Sequence, residues 1–126
     1  MGKHTRIVLI DDDQDACDLL KMQLEDTGRM DVNYSTKSEE AVALISRELP
    51  DIAILDINMP GTHGVELSSM LAANEATAAI PILYLSGMVT PHEAEGMVTG
   101  ENRPSLISKG SPIEELIAAI DNLTSP

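Results

Sequence analysis

The chain has 126 residues, with 21 acidic against 8 basic side chains, a net charge of −13, no Phe or Trp, two Tyr and a single Cys17. That balance repels polyanions such as DNA and anionic membranes, removes base-stacking platforms, and excludes an internal disulfide or a cysteine-built zinc cage. With 43% apolar residues and seven Met as gap fillers, one domain with an aliphatic core is expected. No run approaches membrane-spanning length and the first residues lack a signal-peptide core, so the expected setting is cytoplasmic.

In chain order, residues 5–10 read as a first strand, with Ile7-Val8-Leu9-Ile10 running into Asp11-Asp12-Asp13. Asp13 or a neighbour caps a helix over roughly 14–27 carrying Ala16, Cys17, Leu20 and Leu24 on one face, stopped at Gly28. Asp31-Val32-Asn33-Tyr34 is a short edge strand. Ser38 is placed to cap a second helix with Ala41, Val42, Leu44, Ile45 and Leu49 on its apolar face, closed by Pro50. A third strand, 51–55, ends at Asp56 and is followed by the turn-rich Asn58-Met59-Pro60-Gly61-Thr62-His63-Gly64. Val65, Leu67, Met70 and Leu71 mark a third helix. After Pro81, a fourth strand over 82–85 ends at Ser86. Thr90-Pro91 starts a short helix near 91–98, stopped by Gly100; a fifth strand at 105–108 ends at Lys109. Ser111-Pro112 opens a last helix that buries Ile113, Leu116, Ile117, Ile120 and Leu123.

Apolar strands alternating with helices argue for a doubly wound α/β domain with a parallel sheet covered on both faces. In such a sheet all carboxyl ends lie on one edge, where ligands bind. Asp11, Asp12, Asp56, Ser86 and Lys109 should therefore meet in one pocket. Taken alone, each has a plainer role: Asp11-Asp12-Asp13 as a helix cap with solvated charge, Asp56 as a turn cap, Ser86 as a turn hydroxyl, Lys109 as a surface cation. Together they supply oxygen ligands suited to Mg²⁺, a carboxylate that can accept a phosphoryl group, a hydroxyl donor and a point charge for phosphate oxygens.

These residues, in this order and at these spacings, resemble the receiver domain of two-component response regulators, over essentially the whole chain. The resemblance implies a five-stranded flavodoxin-like sheet of order 2-1-3-4-5 and a single receiver domain over 1–126, since the residues after Lys109 suffice for one helix only. It implies that Asp56 takes a phosphoryl group from a histidine kinase or a histidine phosphotransfer protein. Mg²⁺ would be held by Asp12 directly, by Asp11 through water, by Asp56 and by the Asn58 backbone carbonyl. Lys109 and Ser86 would contact the phosphoryl group, and Asp13 would stand outside the metal shell. The output would be altered binding of a downstream protein, not turnover.

Three positions depart from the family pattern. Leu106 stands where an aromatic switch residue is common, Gly110 follows Lys109 where Pro with a cis bond is common, and His63 precedes Gly64 where Asp is common. A cis bond before a non-proline costs about 2.5–4 kcal/mol, so Lys109-Gly110 is expected trans. His63 reads as an exposed loop residue, and His4 and His92 have no partner pattern. Met88, two places after Ser86, cannot orient a hydrolytic water, which points to modest intrinsic dephosphorylation. Two rival classes share the topology. A Mg²⁺-dependent aspartyl phosphohydrolase would want an acid/base carboxylate at position 58, which is Asn; a flavodoxin-like carrier would want aromatics and a hydroxyl-rich phosphate loop.

Overall fold

Strands with no wettable face must be covered on both sides, and the computed structural model, which describes residues 4–57, 64–87 and 105–124, shows how this is done. Five strands, β1 (Thr5–Ile10), β2 (Met30–Ser35), β3 (Ile52–Asp56), β4 (Ile82–Ser86) and β5 (Ser105–Ser108), form one parallel sheet in the order β2-β1-β3-β4-β5. The described helices are α1 (Gln14–Glu25), α2 (Ala41–Glu48), α3 (Gly64–Ala72) and α4 (Ile113–Thr124), with a 3₁₀ turn at Ser38–Glu40. Strand side chains alternate between two cores. Ile7 and Leu9 pack with Cys17 and Leu24 of α1 and with Leu116 and Ile120 of α4. Val8 and Ile10 pack with Ala41 and Ile45 of α2 and with Leu67 and Leu71 of α3. Every residue of the central strand β3 is buried.

The sheet order positions the site. The chain leaves β1 for β2 on one side, then returns to β3 on the other. A crevice therefore opens above the carboxyl ends of β1 and β3, the switch point where such sheets bind ligands. Asp11 and Asp56 stand at these two ends.

Local chemistry explains where the elements stop. The Asp13 Oδ1 accepts the Ala16 N–H at 3.2 Å, the side-chain cap of α1. Gly28, at φ 80°, takes the left-handed conformation that ends the turn after α1. Among the described residues there is no cis peptide bond, and Lys109-Gly110 is trans.

Several expectations change. Ser38 is not a helix cap: it is buried inside the 3₁₀ turn, and α2 begins three residues later. Leu49 is not on the buried face of α2. It ends the helix in the left-handed region at φ 44° and is 51% exposed. Pro50 clashes with a right-handed helical conformation at the residue before it, so the chain must leave the helix at Leu49. Met70, expected on the apolar face of α3, is 51% exposed, while Leu67 and Leu71, expected on the same face, are in the core. Strand β2 is longer than expected because Met30 at its start is fully buried. The helix expected near 91–98 with its Thr90-Pro91 start, and Asn58, His63, Met88 and His92, lie outside the described residues.

Candidate functional site

Asp11 follows β1 directly and is fully buried. Its Oδ1 accepts the Asp13 N–H at 3.0 Å, while its backbone carbonyl accepts the Cys17 thiol at 3.3 Å. Its Oδ2 lies 2.6 Å from the Lys109 Nζ, a tight ion pair. Asp56, the last residue of β3, is 4% exposed, and its Oδ2 accepts from the same Nζ at 3.2 Å. Lys109, half-buried just beyond β5, thus bridges the carboxylates of two strands. Asp12 is exposed at the rim, and ligand oxygens of Asp11, Asp12 and Asp56 all lie within 4.8 Å of one another. Ser86, the buried last residue of β4, receives the Lys109 N–H on its carbonyl at 2.9 Å, which sets the root of the lysine beside it.

The electrostatics follow from burial. Desolvation pushes the Asp11 carboxyl above its ordinary range, opposed by the ammonium of Lys109. Burial pulls the Lys109 ammonium down, but Asp11 and Asp56 outweigh it and the net direction is up. The two therefore behave as a buried ion pair. Burial, with Asp11 adding to it, also raises the Cys17 thiol to about 12, so this side chain stays protonated.

Among the described residues, three carboxylates share this pocket with one ammonium, so negative charge is in excess. Carboxylates held this close repel one another unless a further cation offsets the charge that Lys109 leaves over. The donor set consists of hard oxygens from two strand ends, one of them on the exposed Asp12. That fits a divalent cation that keeps part of its water shell. The pocket can hold such a cation, neutralise a phosphoryl group and offer a carboxylate nucleophile.

The fold and this pocket define a signalling class. Residues 7–121 match the response regulator receiver domain, and the chain belongs to that family. Members are phosphoacceptor switches rather than turnover enzymes; the family uses Mg²⁺ and works with histidine kinases. The chain is 29% identical over 108 residues to an uncharacterized 14.6 kDa protein of Leptolyngbya boryana, covering 86% of this chain and 82% of that one. It is 28% identical over 110 residues to the protein PilH of Pseudomonas aeruginosa, covering 87% and 88%. The match to the DNA-binding dual master transcriptional regulator RpaA of Synechocystis, 30% over 116 residues, covers 91% of this chain. The chain spans about half the length of RpaA and of several other curated relatives it matches. Among solved structures, a response regulator of Desulfuromonas acetoxidans superposes with a TM-score of 0.77 at 29% identity, over 94% of this chain and 95% of that one. The chemotaxis protein CheY4 of Vibrio cholerae, at 20% identity and a TM-score of 0.79, shares the fold over 95% of this chain and 98% of its own. Among the described residues no helix is long and apolar enough to cross a membrane.

Two residues at the site were not singled out by sequence reasoning. Cys17, expected only on the apolar face of α1, also donates to the Asp11 backbone carbonyl. The Ser108 hydroxyl accepts the Gly110 N–H at 3.1 Å across Lys109. A Ser two residues before an N–H donor is a known local turn pattern, so that signal was available in Ser108-Lys109-Gly110.

Proposed function

We propose that the chain is a phosphoacceptor domain whose Asp56 receives a phosphoryl group from the phosphohistidine of a kinase or phosphotransfer protein. An Asp56 carboxylate oxygen attacks the phosphorus as the nitrogen–phosphorus bond breaks, and the imidazole leaves with the electron pair. The transferring group carries spread negative charge, so positioning and charge neutralisation supply most of the catalysis. Lys109, already 3.2 Å from Asp56, would move its contact to a phosphoryl oxygen, and the Ser86 hydroxyl would donate to another. Asp11, Asp12 and Asp56, with the Asn58 backbone carbonyl, would hold Mg²⁺, which supplies charge neutralisation at the phosphoryl oxygens when bound.

The observation that carries this reading is the bridge of Lys109 between Asp11 and Asp56, at 2.6 and 3.2 Å, beside the exposed Asp12. The phosphodonor's docking face is supported by α1. Leu19 and Met22 are 50% and 62% exposed there, on a helix that begins beside the acidic rim. The output is a phosphorylation-dependent change in binding to a downstream protein. A phosphotransfer protein carrying labelled phosphohistidine tests the reading. Label should pass to the wild-type chain within minutes and not to Asp56→Asn. Equal labelling of the variant would move the acceptor elsewhere.

A further inference from the structure

We propose that the Ser108 hydroxyl is the positioning group for Lys109, through its hydrogen bond with the Gly110 N–H; this rests on the reading of Lys109 as the phosphoryl-binding cation. A lysine has a long side chain with many rotamers, so the aim of its ammonium depends on how firmly its backbone is held. Here the backbone is held on both sides. The Lys109 N–H donates to the Ser86 carbonyl at 2.9 Å, which fixes the residue to the end of β4. Beyond it, the Gly110 N–H donates to the Ser108 Oγ at 3.1 Å and the Ser111 N–H donates to the Ser108 carbonyl at 3.0 Å. Ser108 thus receives two of the three N–H groups from Lys109 to Ser111; it is itself buried, at 4% exposure, and its bond to the Gly110 N–H is partly buried. The chain turns around Lys109 in a side-chain-closed loop of the Ser/Thr type.

Glycine at position 110 is not what makes the turn. Its φ is not in the left-handed region, and a Cβ there would sit 3.6 Å from the Ser108 Oγ, an ordinary contact. What the turn uses at 110 is the N–H. Two substitutions therefore separate the hydroxyl from glycine flexibility: Ser108→Ala removes the acceptor, and Gly110→Ala keeps the donor.

The experiment measures phosphorylation by saturating acetyl phosphate with Mg²⁺, and Mg²⁺ affinity by titration, on folded variants of the 126-residue chain. Ser108→Ala should lower the maximum phosphorylation rate about five- to tenfold, the effect of loosening one hydrogen bond that aims a reacting group. Its Mg²⁺ affinity should stay within about twofold, because the acids that would hold the cation stand on other strands. Ser108→Thr, which keeps the Oγ, and Gly110→Ala should both react within about twofold of wild type. A loss of Mg²⁺ affinity equal to the loss of rate, an equal slowing by Gly110→Ala, or an unslowed Ser108→Ala would each overturn the proposal. If Ser108→Ala fails to fold, hydrogen exchange on the wild-type chain decides: the Gly110 amide is expected protected, and exchange at the unfolded rate overturns it. Lys109→Ala separates the two levels. If it is phosphorylated as fast as wild type, the role of Lys109 falls and this inference with it. If it is slow while Ser108→Ala is normal, only the inference falls.

Discussion

Cys17 and Leu49 show how single residues carry consequences that their types do not announce. The Cys17 thiol is fully buried, donates to the Asp11 carbonyl and has a pKa raised to about 12. Thiolate is the nucleophile, so alkylation by iodoacetamide at neutral pH should be at least about 100-fold slower in the native chain than in urea-unfolded chain. Native alkylation at the unfolded rate would show that the helix α1 does not seal this core. Leu49 holds φ 44°, a conformation that costs an L-residue roughly 1–2 kcal/mol, while half its side chain meets water. Leu49→Gly should therefore be about 1 kcal/mol more stable than Leu49→Ala in urea unfolding, because only glycine relieves the strain at this helix end. Equal stability of the two variants would mean that Leu49 is unstrained. The burial of Cys17 was legible from its place on the apolar face of α1, but its bond to the Asp11 carbonyl and the exposure of Leu49 were not. Leu49 continues the three-four spacing of α2, but Pro50 stops the helix before the spacing can bury it. The cap Asp13, in contrast, was legible because its carboxylate needs only the local chain to reach the Ala16 N–H.

At the level of elements, β2 is an edge strand, and one outward pair of its backbone groups is closed by α1. The Arg29 and Ser35 carbonyls take N–H groups from the β1 side, at Thr5 and Asp11. Alternate residues such as Val32 therefore turn their groups away from the sheet. The Lys21 ammonium donates to the Val32 carbonyl at 2.6 Å, and the Val32 N–H donates to the Glu25 Oε2 at 3.0 Å. Lys21 and Glu25 also pair with each other at 3.1 Å. This blunts the open edge against strand addition. The Val32 N–H and then Lys21 hold the Glu25 carboxyl below its ordinary 4.5. A carboxyl with a lowered folded value binds fewer protons when folded than when unfolded. Its contribution is thus present above that ordinary value and is lost as pH falls through the folded one. Glu25→Gln should cost about 0.5–1 kcal/mol at pH 7, a small figure because the pair is partly solvated, and the cost should shrink as the pH is lowered into the acid range. A pH-independent cost would assign the loss to packing. The strands and the last helix were legible because apolar runs and three-four spacing record burial directly; Leu116 and Ile120 of α4 are in the core as expected. The edge clamp was not, because a Lys and a Glu four residues apart read as an ordinary solvated pair until the strand is seen beneath them.

For the molecule as a whole, one sheet edge gathers residues that the chain keeps far apart. Asp11, Asp56, Ser86 and Lys109 were legible as a group because each ends an apolar run, and parallel topology sends all such ends to one side. The geometry among them was not legible. Nothing in the spacing says that Lys109 touches both buried carboxylates, or that Asp11 is fully enclosed while Asp12 meets water. The same excess of carboxylate over ammonium predicts that Mg²⁺ stabilises the fold. At about 100 times its dissociation constant, a cation bound only by the native state adds about 2.7 kcal/mol. Asp12→Asn should weaken that gain, and a thermal midpoint indifferent to Mg²⁺ in the wild-type chain would mean that the acids do not form a cation site. The central claim is that this pocket carries a phosphoryl group on Asp56. It is tested most directly by the intact mass of the chain after incubation with acetyl phosphate and Mg²⁺. One added phosphoryl group is expected in the wild type, absent with EDTA and absent in Asp56→Asn. No adduct, together with no binding of a beryllofluoride phosphoryl mimic in the presence of Mg²⁺, would contradict the account.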